Sequence, residues 1–193
     1  MEDNSATFLM TNIIPQAPEL NREAWAYLED YSRDIVKEGY KAYIIAGTYG
    51  TGGEGTNGEL SKIKSIINVP ARIYKIIVIT PENEAISDKS IVIAVDFPNT
   101  VKATKETSWL RFITTPESIE KATNLKLFTS LPANQQNALK TKRFDFLNSP
   151  LQIEAVCRLY NGKPLFIGPK GGCYYINSNN NKTYIDRILC GCE

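Results

Sequence analysis

Four residues spaced by four, Asn21, Trp25, Glu29 and Arg33, stand out as able to do chemistry. Each step of four advances about 40° around an α-helix, so on one helix they form a slowly turning ridge. An amide oxygen and a carboxylate are hard donors of the kind that suits Mg²⁺, which takes few protein ligands and keeps several waters. An arginine one turn from a carboxylate can orient it and also meet a phosphate. The spacing thus suits a divalent cation held beside a phosphate. From spacing alone a plainer arrangement is the commoner one, with Asn21 as a helix N-cap and Glu29 and Arg33 as an i,i+4 surface pair.

The element that must carry the ridge is a helix from about Glu19 to Lys37, stopped by Gly39. Ala24, Leu28, Tyr31 and Ile35 form its apolar stripe, with Trp25 and Val36 at one margin. Asn21 and Glu29 fall beside that stripe, at the edge of a core where a cleft can form. Strands are expected over Thr7–Ile14, Lys41–Ala46, Arg72–Thr80, Ser90–Phe97 and Trp109–Thr114, and a helix from Pro116 to Thr123. Residues 133–150 are polar and basic and read as a connection to the tail. Cys173–Ile176 and Thr183–Ile185 read as a hairpin around the Asn-rich stretch Asn177–Asn181. Six of the 12 glycines lie between Gly47 and Gly58. Gly50-x-Gly52-x-x-Gly55 matches a dinucleotide-binding pattern, but no helix is expected to open at its third glycine, and no GK[ST] follows.

The 193 residues contain no histidine. That excludes Ser-His-Asp and Cys-His triads, HExxH proteases and Cys/His zinc fingers. A general base within the chain must be a carboxylate, Lys, Tyr or a metal-bound hydroxide. Residues 1–60 carry 10 acidic and 4 basic side chains, and residues 61–193 carry 11 and 18. This asymmetry is either solvated faces or an acidic cation site beside a basic surface for a polyanion. Cys157, Cys173, Cys190 and Cys192 admit three full pairings. Disulfides imply an oxidising compartment, yet Met1-Glu2-Asp3-Asn4 has no basic n-region or apolar h-region. No run approaches the ~20 apolar residues of a membrane helix.

The pattern T-N-x-x-P-Q-x-P-x-x-N-x-x-x-W-x-x-L-E, from Thr11 to Glu29, resembles the DNA/RNA non-specific endonucleases, the ββα-metal (His-Me finger) nucleases. Tyr43-Ile-Ile-Ala-Gly47 with its Gly-rich loop, Val69-Pro70 followed by Tyr74-Lys75-Ile76, and Thr115–Pro132 are similar to later segments of that family. The resemblance implies that Asn21 coordinates Mg²⁺ (or another divalent cation) and that Glu29 holds metal-bound water. It implies that Arg33 supports Glu29 and the phosphate, that Asn12 lies near the reacting phosphate, and that Arg22 and Arg33 contact nucleic acid. Its substrates would be DNA and RNA without sequence choice, with no membrane partner. The fold it implies is α+β: a mixed or antiparallel sheet with packed helices, incomplete at the N-terminus, plus a small C-terminal β-hairpin module.

One departure matters. The family's general-base histidine lies in a D-R-G-H motif upstream of the asparagine, and this sequence contains none. Asp3 to Phe8 look like the segment that follows that motif. The expectation is an N-terminally truncated nuclease, secreted or periplasmic in its full-length form, with this chain cutting weakly or not at all. The alternative is a non-catalytic module that binds nucleic acid or a partner. The expected organisation is a partial nuclease domain over 1–132, a linker over 133–165 and a Cys-containing tail over 166–193. The tail resembles a hairpin of viral basic adaptor proteins. Its Tyr174, Tyr175 and Tyr184 either pack a disulfide-stapled unit, the first expectation, or join Lys170, Lys182 and Arg187 in stacking on a nucleic acid strand.

Overall fold

A computed structural model describes residues 13–104, 108–151, 155–160, 163–168 and 170–190. The strand expected over Thr7–Ile14 lies outside these except for Ile13 and Ile14, which are not in a strand.

The expected helix from Glu19 to Lys37 is two helices, α1 (Pro18–Arg22) and α2 (Ala24–Lys37). Pro18 opens α1 with a backbone angle already suited to a first turn. The chain breaks at Glu23, whose φ of −113° and ψ of −96° leave the helical region. Both pieces are anchored: Leu20 and Ala24 are fully buried. The turn lets α1 stay tied to the chain before it while α2 lies along the sheet. The periodicity holds on α2, where Ala24, Leu28, Tyr31 and Ile35 are buried and Val36 is exposed. Gly39, at φ +86°, lets the chain turn out of the helix into the next strand.

Beneath α2 runs an antiparallel sheet of β1 (Tyr40–Tyr49), β6 (Arg72–Pro81), β7 (Ile91–Pro98) and β8 (Ile113–Thr114), in that spatial order. The intervening β2 (Gly53–Gly55) pairs with β3 (Gly58–Leu60), and β4 (Lys62–Ile63) with β5 (Ile67–Asn68). No helix opens at Gly55, as the dinucleotide pattern would require. Central strands β6 and β7 are covered on both faces, which explains their near-continuous apolar runs. Ile73, Ile77, Ile79, Ile93, Val95 and Phe97 face α2. Tyr74, Ile76, Val78, Val92 and Ala94 meet Ile119, Leu127 and Leu139 on the other face.

The remaining helices are α3 (Val101–Thr104), α4 (Pro116–Thr123) and α5 (Ala133–Lys140). Trp109–Phe112 forms a 3₁₀ turn rather than the expected strand, because Ser108 Oγ caps it by accepting from Leu110 N at 3.2 Å.

Among its described residues, the stretch 133–165, expected to be a linker, is folded. It holds α5, β9 (Ala155–Tyr160) and the start of β10 (Lys163–Ile167), and it buries Leu139, Phe144, Phe146 and Leu151. Its average polarity hides these few deeply buried residues. The tail is likewise more than a hairpin: β9 and β10 join β11 (Cys173–Ile176) and β12 (Lys182–Ile185) in a four-stranded antiparallel sheet. Cys173 and Cys190 are disulfide-bonded, and Cys157 also lies in a disulfide. One apolar core joins this sheet to α2: Leu165, Ile167 and Cys173 belong to the same cluster as Tyr31, Trp109 and Phe144.

Candidate active site

On α2 the ridge is real from Trp25 onward. Trp25 Nε1 donates to Glu29 Oε1 at 2.8 Å, and Arg33 Nη2 lies 3.6 Å from Glu29 Oε2. Arg33 also reaches Asp30, 2.6 Å away. The break at Glu23 takes Asn21 off this helix. Asn21 sits exposed near the end of α1 beside exposed Arg22, and it makes no side-chain hydrogen bond with a described residue. It caps neither helix, since the N-cap positions belong to Ala17 and Glu23. The structure therefore brings Trp25, Glu29 and Arg33 together, while Asn21 and Arg22 make no hydrogen bond or ion pair with them. Asn12 lies outside the described residues.

Two residues matter here whose roles spacing did not reveal. Lys75 stands in the middle of β6, pointing at α2. Its Nζ donates to Glu29 Oε1 at 3.3 Å and sits 3.7 Å from the centre of the Trp25 ring. It is only 3% exposed. Burial pushes its pKa below the ordinary lysine value; Glu29 draws it back up, and Arg33 adds to the depression. The available signal was a single charge inside an otherwise apolar run, Ile73-Tyr-Lys-Ile-Ile-Val-Ile79. Such a charge inside a covered strand requires partners.

Asn99 is the second. The residue is only 1% exposed; its Oδ1 accepts from Ala17 N at 2.7 Å, while its Nδ2 donates to Pro15 O at 3.1 Å and Pro70 O at 2.8 Å. It thereby fixes the entry to α1, and with it the position of Asn21.

The cluster opens onto a groove of about 660 Å³ between α2 and β1, lined by Trp25, Glu29, Arg33, Ile44, Ala46 and Lys75 among others. Among the described residues no strand pairs with the outer edge of β1. Tyr43, Ile44 and Ile45 are 43%, 53% and 36% exposed. Glu29 is held on Oε1 by two donors, and its side chain remains 40% exposed at the mouth of this groove. A fixed carboxylate that stays partly exposed can accept from a bound water, and an adjacent exposed guanidinium can meet an anion.

The family described as DNA/RNA non-specific endonuclease matches residues 1–134. The chain belongs to this family. A nuclease of Nostoc sp. is 36% identical over 146 residues, covering 73% of this chain and 50% of the relative. The nuclease of Serratia marcescens is 30% identical over 135 residues, covering 69% and 47%. Human mitochondrial endonuclease G is 28% identical over 124 residues, covering 62% and 40%. The chain thus spans about half the length of these relatives, or less. The antiparallel sheet with α2 packed on it is consistent with the α+β fold the resemblance implied, and the Glu29 cluster lies within the matched residues. Among the described residues, no group of three His, Cys, Asp or Glu side chains is arranged to hold a metal ion, and no helix is long and apolar enough to cross a membrane.

Proposed function

We propose that this chain carries the cation- and phosphate-facing side of an endonuclease site acting on DNA and RNA without sequence choice. The observation that supports the reading most is Glu29 held by Trp25 and Lys75 at the mouth of an open groove, with Arg33 beside it. The donors fit a hydrated divalent cation such as Mg²⁺. Asn21 offers an amide oxygen unclaimed by described residues, and Glu29 has an exposed side able to accept from the cation's waters. Such an ion needs few protein ligands, so a group of three acidic side chains is not required. When bound, the cation supplies Lewis-acid stabilisation of charge on the phosphodiester. Arg33 and Arg22 would meet phosphate oxygens, Lys75 and Trp25 keep Glu29 aimed, and Asn12, outside the described residues, keeps only the role that the resemblance implies.

A base to activate water is the missing function. The 193 residues include no histidine, and Lys75 is occupied by Glu29. A general base typically contributes about 10²–10⁴-fold, so this polypeptide cuts weakly or not at all. The disulfides fit an exported protein, secreted or periplasmic.

Nicking of supercoiled plasmid with Mg²⁺, with and without EDTA, tests the reading. Expected is slow, EDTA-sensitive nicking or none, together with Mn²⁺ binding that Asn21→Ala weakens. Nicking that resists EDTA, or that matches the rate of the Serratia marcescens nuclease, contradicts it.

A further inference from the structure

The C-terminal sheet presents a face that the proposed nuclease site does not use. In the β10–β11–β12 register Phe166 stands opposite Tyr174, and Tyr174 opposite Tyr184. Their rings form a ladder across three strands, with centroids 5.4 Å and 5.5 Å apart. Alternation sends Leu165, Ile167 and Cys173 into the shared core, so the ladder occupies the opposite side. The tyrosines divide accordingly. Tyr174 is buried and Tyr175 packs against the core, as a stapled unit requires. Tyr184 ends the ladder 66% exposed.

Basic groups surround that exposed ring. Lys182 Nζ lies 4.5 Å from the Tyr174 ring centre. A side chain at Gly172 would come within 3.0 Å of the Tyr184 ring, and one at Gly171 within 3.4 Å of the Arg187 guanidinium. Tyr184 and Arg187 therefore flank two successive glycines, with exposed Lys170 leading into them. Residues 151–193 carry five basic side chains and three acidic ones, Glu154, Asp186 and Glu193.

We infer that this face binds single-stranded nucleic acid, with a base stacking on Tyr184 and phosphates meeting Lys170, Lys182 and Arg187. An exposed aromatic ring set among cations suits any base, because every base has a π-face, and the backbone charge supplies the rest. A duplex hides its bases from such a ring. The inference does not depend on catalysis, since binding is measured without divalent cations.

The test uses the whole chain in EDTA with a fluorescein-labelled oligo(dT) of about 15 nucleotides, within the site sizes known for stacking grooves. Tyr184→Ala should weaken binding about tenfold while Tyr184→Phe retains it, given that stacking contributes about 1–3 kcal/mol per base. Lys182→Ala should flatten the plot of log affinity against log salt by about 0.7. Unchanged melting temperatures establish that the exposed substitutions leave the fold intact. Equal affinity of the parent and Tyr184→Ala, or tighter binding of a duplex of the same length, overturns the inference. A simultaneous failure of plasmid nicking does not bear on it.

Discussion

Lys75 and Glu29 are 46 residues apart in sequence, yet the ammonium of one lies 3.3 Å from the carboxylate of the other. The pair is asymmetric: Lys75 is buried under α2, while Glu29 keeps 40% of its side chain exposed. The buried partner sets the direction of the exposed one.

Lys75→Met removes a charge that burial disfavours and leaves Glu29 with Trp25, Arg33 and solvent. Because Glu29 is well solvated, stability should change little or rise by about 1 kcal/mol, a shift of about 2–4 °C for a chain of this size. The fold depresses the Lys75 pKa from its ordinary 10.5. The unfolded chain therefore binds more protons between the folded value and 10.5, and the parent gains stability as pH rises across that window. Melting temperatures of the two proteins should converge as pH approaches 10.5. In parallel, Mn²⁺ affinity should fall, since Glu29 is no longer aimed.

Free imidazole titrates near neutrality, as a histidine side chain does. If an absent base is the main defect, imidazole in the buffer should raise Mg²⁺-dependent nicking by about tenfold, part of the 10²–10⁴ a positioned base supplies. The Glu29→Gln variant should show no such rise. Rates linear in imidazole for the parent and flat for the variant are the expected outcome, and equal stimulation of both contradicts the assignment of Glu29.

Asn99→Ala strands three backbone groups at once: Ala17 N, Pro15 O and Pro70 O. The expected loss is about 2–4 kcal/mol, since each buried group left unpaired costs about 1–3 and some regain water. A thermal melt should fall by roughly 5–15 °C. Divalent affinity should also drop if α1 carries the cation's ligand.

The hydroxyl of Tyr31 is buried beside Trp109 and has no hydrogen-bond partner among the described residues. Tyr31→Phe should stabilise the protein by about 1 kcal/mol by deleting an unsatisfied group. Burial raises the Tyr31 pKa above its ordinary 10.0. Above about pH 10 the unfolded chain releases a proton that the folded chain retains, so the parent loses stability as pH rises. The melting-temperature gap should widen there, opposite in sense to the Lys75→Met comparison.

Local pattern carried much of this architecture. The stripe of Ala24, Leu28, Tyr31 and Ile35, the apolar run of β6 and the turn at Asn177–Asn181 each depend on near neighbours, and each is present in the structure. Glu29 and Arg33 were legible for the same reason, being one turn apart. Lys75 and Asn99 were not, because their roles come from partners far along the chain. The break at Glu23 reflects two anchoring points that periodicity treats as one helix. Leu139, Phe144 and Phe146 vanished into a polar average, although burial depends on a few positions rather than a mean.

Among the described residues the outer edge of β1 pairs with no strand, and that bears on the protein's colloidal behaviour. Ten residues of strand, with three exposed bulky side chains in succession at Tyr43, Ile44 and Ile45, offer a template to any extended chain nearby. At high concentration such a ribbon is expected to recruit copies of itself, and Ile44→Lys should act as a gatekeeper that lowers light scattering in concentrated samples. Tractability at the bench is therefore set by the same surface that gives the groove its opening.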